Sequence, residues 1–519
     1  MKKRTLRKRM LAFFLTALMI FSLAGCTTKN QSDASAGMES LTKEDVISIT
    51  TLSHPSWPYQ EGWKVWEYIA EGTGATLDVR AVPATDVATK YPVMFAAPDL
   101  LTDIVVFDYK PGADVYASQG ALISLDDMAE YMPNYTAFVE SLSEEEYTNN
   151  IAARKASDGK IYYTPVMGRE QSNNVRAWLY RKDVFEKHNL KVPETFDELY
   201  AVCKELKSIY PDSYPFAIRS GFTNLDVTGP SWKPYWETQI YYDFDNEEWC
   251  YGAREEIMRD VLVWYKKMVD EKLAPSDFMT INTSAWQELV TTDRAFIMPE
   301  YQTRIDFFNS IAQGNNEGFD LQAMVPPVAD PETGVAMVNK NNLDPAGMVM
   351  CNTRDEKRIV NTAKYIDWFY TDEAVELVSW GKEGETFEVV DGKKKYITDE
   401  NNTQVIALYG FGSNGSFMRM DPDAVTTSES ADIAETRDMV LEHTAPYANP
   451  VLYLGLNEEE MNVQEEIGTG ITTYVREMLT KFILGQEPIS NFDGFVNTLN
   501  EMGVDELLAA YESAYNRIK

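Results

Sequence analysis

The sequence predicts an α/β architecture spread over more than one domain, and three observations carry that prediction. Short alternating or wholly apolar runs recur between stretches of helical spacing, the pattern of strands and helices laid in layers. The chain has 519 residues, more than one hydrophobic core usually organises, so two domains are the default. Hydrophobic residues make up 44% of it, enough to build those cores and too many for global disorder.

Val46-Ile-Ser-Ile-Thr-Thr-Leu52 alternates and predicts the first strand. A loop with Pro55, Trp57 and Pro58 follows. The spacing of Trp63, Trp66, Ile69 and Ala70 then predicts a helix that stops at Gly72-Thr73-Gly74. Residues 76–82 predict a second strand. Ile104-Val105-Val106-Phe107 is apolar throughout, which suits a buried parallel strand. Asp158-Gly159 marks a turn ahead of a strand at 161–164, and another strand is predicted over 178–183. Thr195 is placed as an N-cap with Glu198 at the capping-box position, its helix running to about Ile209 before Pro211. Further helices are predicted over 254–273 and 359–380, with a helical tail over 463–519 broken near Gly485 and Pro488. There is no internal repeat.

The first residues predict export. Six Lys and Arg lie between Lys2 and Arg9 with no acid among them, and Met10 to Ala24 is a nearly pure apolar run of fifteen residues. A spanning helix needs about 20, so this is a signal peptide rather than a membrane span. Leu23-Ala24-Gly25-Cys26 resembles the bacterial lipobox, which implies that Cys26 is lipidated and becomes the mature N-terminus. The polar stretch from Thr27 to Ser40 suits a flexible tether.

Charge excludes some partners. The formal net charge is −34, and loss of the six basic residues of the leader takes it to −40. Such a surface repels phosphate backbones and anionic lipid, so nucleic-acid binding is excluded and membrane attachment is through lipid alone. Cys203, Cys250 and Cys351 are too sparse for a disulfide framework and read as apolar thiols, and the three histidines, His54, His188 and His443, are too scattered for a zinc site. Asp243-Phe-Asp-Asn-Glu-Glu248 hints at calcium but lacks the central Gly and the terminal Glu of an EF-hand loop, so no cofactor is expected and a structural calcium is the one ion considered.

Several segments in order carry a resemblance. They are Asp158-Gly-Lys-Ile-Tyr-Tyr-Thr-Pro165, Leu179-Tyr-Arg-Lys-Asp-Val-Phe185, Val192-Pro-Glu-Thr-Phe-Asp-Glu-Leu199, Arg294-Ala-Phe-Ile-Met298, Ala363-Lys-Tyr-Ile-Asp-Trp-Phe-Tyr370, Trp380-Gly-Lys-Glu-Gly384 and Ile483-Leu-Gly-Gln-Glu-Pro-Ile489. Behind a lipobox, their order and spacing resemble the family 1 extracellular solute-binding proteins of bacterial ABC importers, in particular the sugar-binding lipoproteins called LplA-like. The resemblance implies a two-lobed periplasmic-binding-protein-like fold of type II, with hinge-linked lobes and a ligand cleft between them. It implies residues 1–25 as signal peptide, 26–41 as tether, 42–164 plus 326–430 as lobe one, and 165–325 plus 431–519 as lobe two. Crossings are placed near 163–168, 319–326 and 422–446, with Pro165 and the Pro326-Pro327 pair as stiff markers. It further implies a monomer without enzymatic activity. The protein would capture an oligosaccharide and deliver it to permease subunits. Its place would be the outer face of the cytoplasmic membrane of a Gram-positive type of cell.

A sugar site needs aromatic platforms and a rim of hydrogen-bonding groups. Trp57 follows the first strand, and Phe107, Asp108 and Tyr109 follow the third, where ligands of open α/β sheets sit. Arg169 and Glu170 lie beside a crossing. Trp232 and Trp236 stand in Ser231-Trp-Lys-Pro-Tyr-Trp236, dense in aromatics without helical spacing, and are the strongest stacking candidates. Tyr301 inherits a stacking role by its position after Ala295-Phe-Ile-Met298. Asn342, Asp344 and Arg219 complete the set. The net negative charge disfavours polyuronates, which a local cluster of Arg169, Arg176 and Arg219 could reverse. With 81 acidic residues, carboxylate pairs of the kind glycosidases use arise by chance, and no hydrolase motif isolates one. Gly410-Phe-Gly-Ser-Asn-Gly415 lacks a βαβ context and reads as a loop. A glycan-acting hydrolase and a binder of peptides or other solutes are the alternatives.

Overall fold

A computed structural model describes residues 39–518 apart from 98–99, 108–109, 169–175, 220, 313–315, 317, 339–345, 400–403, 428, 448–451 and 453. In chain order the strands are β1 (Val46–Ser53), β2 (Thr76–Pro83), β3 (Ile104–Phe107), β4 (Leu122–Ile123) and β5 (Arg176–Arg181). A hairpin of β6 (Ile240–Asp243) and β7 (Glu248–Tyr251) follows, then β8 (Ile297–Tyr301), β9 (Leu321–Met324) and β10 (Gly347–Cys351). A second hairpin joins β11 (Phe387–Val390) and β12 (Lys393–Tyr396).

Two sheets organise two hydrophobic cores. The first has order β2-β1-β3-β10-β4, with β1 parallel to β2 and β3, and β10 antiparallel to β3 and β4. The second is antiparallel in order β8-β5-β9. The first core collects residues from Ile47 to Val166, Met348 to Val378 and Phe411 to Met420. The second collects residues from Ala177 to Val338 and from Ile433 to Leu508. These are the two lobes of the fold.

The alternation in β1 suggests one wet face, yet the strand is central and buried on both. Its polar side chains find partners inside: the Ser48 backbone N–H and hydroxyl donate to Asp103 Oδ2 at 2.8 and 2.6 Å, and Thr50 Oγ1 lies 2.9 Å from Thr102 Oγ1. Burial without those bonds would cost about 1–3 kcal/mol per group. Thr195 caps the helix Phe196–Ile209 by accepting from the Glu198 N–H at 3.2 Å, but the Glu198 carboxylate reaches Glu194 N rather than closing the box on Thr195. The helix predicted over 359–380 is two helices, Glu356–Trp368 and Asp372–Ser379, because Thr371 caps a new start. The stretch at 161–164 forms isolated bridges, Ile161 to Lys155 and Tyr163 to Val349, rather than a strand.

The chain leaves the first core on two paired segments. Met167 pairs with the segment around Arg419: Met167 N donates to Met418 O and Met420 N to Met167 O, both at 2.9 Å. Val166 and Met420 both belong to the first core, so the crossings expected near 163–168 and 422–446 leave it from neighbouring segments. Gly168 is required there, since its φ is +108° and a Cβ would sit 2.2 Å from the Met420 carbonyl oxygen. The second crossing falls later than 319–326. Leu321, Met324 and Val338 all belong to the second core, Pro327 O accepts from Ser231 Oγ at 2.8 Å, and the chain enters the first sheet only at Gly347. The Pro326-Pro327 pair thus stiffens a segment inside lobe two.

Candidate functional site

Between the lobes lies a cavity of about 670 Å³. Lobe one supplies His54, Ser56 and Trp57 from the loop after β1, together with Trp63, Tyr396 and the turn Phe411 to Asn414. Lobe two supplies Arg176 at the start of β5, Tyr301 at the end of β8, Arg219 and Arg304. The β5–β8 register sets Arg176 opposite Tyr301, and the guanidinium carbon stands 3.8 Å from the ring centroid. The guanidinium therefore lies over the Tyr301 ring as a cation–π contact.

Glu300, one residue before Tyr301, points the other way and is 2% exposed. Arg176 Nη1 lies 3.2 Å from one of its carboxylate oxygens and Arg219 Nε 2.7 Å from the other. Burial alone would push this carboxyl up, but the charges of Arg176, Arg219 and Arg304, with the Tyr301 N–H, outweigh it and hold it below the usual range. Arg304, at the start of the helix Arg304–Ala312, is 4% exposed. It donates from Nη1 to Ser56 Oγ at 3.1 Å, a bond across the cleft, and lies 5.8 Å from the Trp57 ring. Trp57 is half-buried, stacked on His54 at 4.9 Å and edge-on to Phe307 at 6.3 Å. Desolvation, then the charges of Arg304 and Arg219, lower the His54 imidazole to about 4, so it is neutral at pH 7. Its outer edge is open to solvent, which softens that shift.

Three of the expected residues, Trp57, Arg219 and Tyr301, meet in this cavity. Two expectations are corrected. Trp232 and Trp236 are 5% and 0% exposed, and both lie in the core of lobe two. Trp232 stands edge-on to Phe196 at 4.5 Å, so no ring face is open to a sugar. Phe107 is likewise core, 5% exposed against Tyr91 at 5.0 Å, because β3 is covered on both faces. Asp108, Tyr109, Arg169, Glu170, Asn342, Asp344 and Cys26 lie outside the described residues.

Trp63 went unselected in the sequence because its helical spacing read as structural, and Arg304 because no motif marks it. The Gly410 to Gly415 segment was readable as a loop but not as a cleft wall. Its three glycines take φ of 79°, 76° and 85°, and Asn414 O accepts from Thr51 Oγ1 at 2.6 Å, which folds the turn back over β1. The Asp243–Glu248 stretch is the turn of the β6–β7 hairpin. Lys233 Nζ sits 2.8 Å from Asp243 Oδ2, and Asn246 donates to the same oxygen at 3.0 Å, so an ammonium already neutralises the carboxylate a cation would use. Among the described residues no group of three or more His, Cys, Asp and Glu is arranged to hold a metal.

The profile of the bacterial extracellular solute-binding protein family matches residues 65–390, more than half of the chain. The chain belongs to that family. Members of this family bind rather than transform their ligands, and they work outside the cell, so this solute-binding protein is exported and non-enzymatic. It is 22% identical to lipoprotein LipO of Bacillus subtilis across 100% of both chains. It is 21% identical to the polygalacturonan/rhamnogalacturonan-binding protein YtcQ of Bacillus subtilis, covering 98% of this chain and 99% of that one. Among solved structures, the alginate-binding protein AlgQ2 superposes with a TM-score of 0.75 at 21% identity, over 91% of this chain and 98% of that one. FusA, a substrate-binding protein of an S. pneumoniae ABC transporter solved with kestose, gives 0.73 at 18% identity, over 91% and 99%. These likenesses fix the two-lobed fold. Among the described residues no helix is long and apolar enough to cross a membrane.

Proposed function

We propose that this solute-binding protein is the lipid-anchored capture component of an ABC importer for oligosaccharides. The observation that carries the reading is the inter-lobe cavity of about 670 Å³, walled by Trp57 and Tyr301 and rimmed by Arg176, Arg219 and Arg304. Aromatic faces suit the apolar faces of sugar rings, and the guanidinium donors suit hydroxyl and ring oxygens. The volume falls in the ordinary range for ligand pockets, roughly 300–1,000 Å³. Relatives of the same fold that bind alginate, kestose and polygalacturonan support the ligand class.

The mechanism is hinge closure. A ligand touching both lobes stabilises the closed state by its differential affinity, and the closed form is what a permease would read. Lipid on Cys26, with the tether after it, would keep the receptor at high local concentration beside its permease on the outer face of the membrane. Thermal unfolding against a glycan panel tests the capture role. A bound oligosaccharide at a hundredfold excess over Kd is expected to stabilise by about 2.7 kcal/mol, whereas a shift with peptides and none with any glycan would overturn it.

A further inference from the structure

We propose that the cleft selects an acidic oligosaccharide, one whose uronate carboxylate is gripped on lobe two by Arg304 together with Arg219 and Arg176. The proposal rests on the oligosaccharide reading above and narrows its substrate class. Three guanidinium groups line one cavity, and the carboxylate that pairs within the group is Glu300. Three positive charges stand against Glu300 and Asp306, Glu429 being neutralised by Arg437, which leaves a local excess of one inside a chain whose net charge is −34. A surface so acidic repels anions at long range, so a basic pocket within it has a local purpose.

Arg304 is the sharpest part of the observation. It is 4% exposed, and the rings of Trp57, Trp286 and Phe307 surround its guanidinium carbon at 5.8, 5.9 and 5.1 Å. Its Nη1 donates to the Ser56 hydroxyl, while its buried Nε has no acceptor. A desolvated guanidinium with an unmet donor is costly to keep. On a binding wall, that cost is offset when the ligand brings the acceptor. Both acids that share the cavity are engaged elsewhere: Glu429 is ion-paired with Arg437, and Asp306 interacts with Ser430. A planar carboxylate matches the planar fork of arginine through two parallel hydrogen bonds, which a neutral hydroxyl does not. Trp57 and Tyr301, both in the cavity wall, would take the sugar rings on either side.

The test is calorimetric titration of the mature chain with oligomers of galacturonate, glucuronate and alginate, each beside its carboxyl-reduced neutral counterpart. At least one uronate is expected to bind, with its reduced form weaker by about tenfold or more. Arg304→Gln is expected to raise the Kd of the acid about tenfold and that of the neutral form by clearly less. Arg304→Lys, which keeps the charge but loses the fork, is expected to fall between. Equal affinity for acid and reduced forms, or binding of neutral glycans with none of the uronates, overturns the inference while oligosaccharide capture stands. Binding of no glycan at all overturns both. The comparison of acid with reduced sugar uses the wild-type chain, so it decides even if a variant does not fold.

Discussion

Tryptophans that look alike in sequence divide sharply in the folded chain. Trp57 and Trp232 both sit among prolines and lack helical spacing. Trp57 stays half-buried because its loop leaves β1 at the edge of the cleft, whereas the turn Gly229–Ser231 rolls Trp232 inward against Phe196 and Trp264. Local pattern marks both as non-helical aromatics, and only the long-range packing of the helix Phe196–Ile209 separates them. Trp232→Ala is therefore expected to destabilise the protein by about 3–5 kcal/mol, as truncation of a core tryptophan does. Chemical denaturation checks it; a loss below about 1 kcal/mol would return Trp232 to the cleft wall. Arg304 escaped notice for a related reason. Nothing in Arg304-Ile-Asp-Phe-Phe308 distinguishes a helix-start arginine in solvent from one pressed under three aromatic rings.

At the level of elements, the sequence delivered β1, β2, β3 and β5 and the helices that begin at Lys64, Phe196 and Glu256, because apolar runs and N-caps are local. It misplaced what depends on partners. The polar face of β1 is buried since Asp103, some fifty residues away, accepts its hydrogen bonds. The second crossing slipped past the Pro326-Pro327 pair because proline stiffness says nothing about which core a segment joins. On the hinge-closure reading, the paired segments at Met167 and Arg419 would be an element on which lobe motion turns. Gly168→Ala forces a Cβ toward the Met420 carbonyl at a φ of +108°. It is expected to cost about 1–3 kcal/mol of stability and to weaken ligand binding with it, since the strain falls on the hinge. Unchanged melting and affinity would mean that the crossing adjusts freely.

Across the whole molecule, acidity shapes both stability and function. Asp226 and Glu237 share a buried corner of lobe two, where Asp226 accepts from the Thr238 N–H and hydroxyl at 2.7 and 2.6 Å. Burial, then the Asp226 charge, pushes the Glu237 carboxyl up to about 8. Burial likewise raises Asp226. Glu237 keeps a partly accessible edge, so water screens some of the effect. A carboxyl whose folded pKa is raised binds its proton more tightly in the folded than in the unfolded chain. Its stabilisation is complete below the unfolded value of about 4.3 and is lost as pH rises through about 8. The denaturation midpoint of the wild type is thus expected to fall between pH 6 and pH 9, and Glu237→Gln, neutral throughout, to flatten that fall. A wild-type midpoint that rises over the same interval would place the ionised pair in a better solvated setting.

The lobes, the crossings and the charge pattern converge on one claim, that a glycan is held in the cleft against Trp57. The direct measurement is the Kd of the best-binding oligosaccharide for the wild type and for Trp57→Ala, by calorimetry on the mature chain. Loss of a stacking platform of this kind is worth about 0.5–1.5 kcal/mol beyond the area it buries, so the variant is expected to bind about tenfold more weakly while melting close to the wild type. An unchanged Kd in a folded Trp57→Ala would contradict the claim and place the ligand elsewhere on the protein.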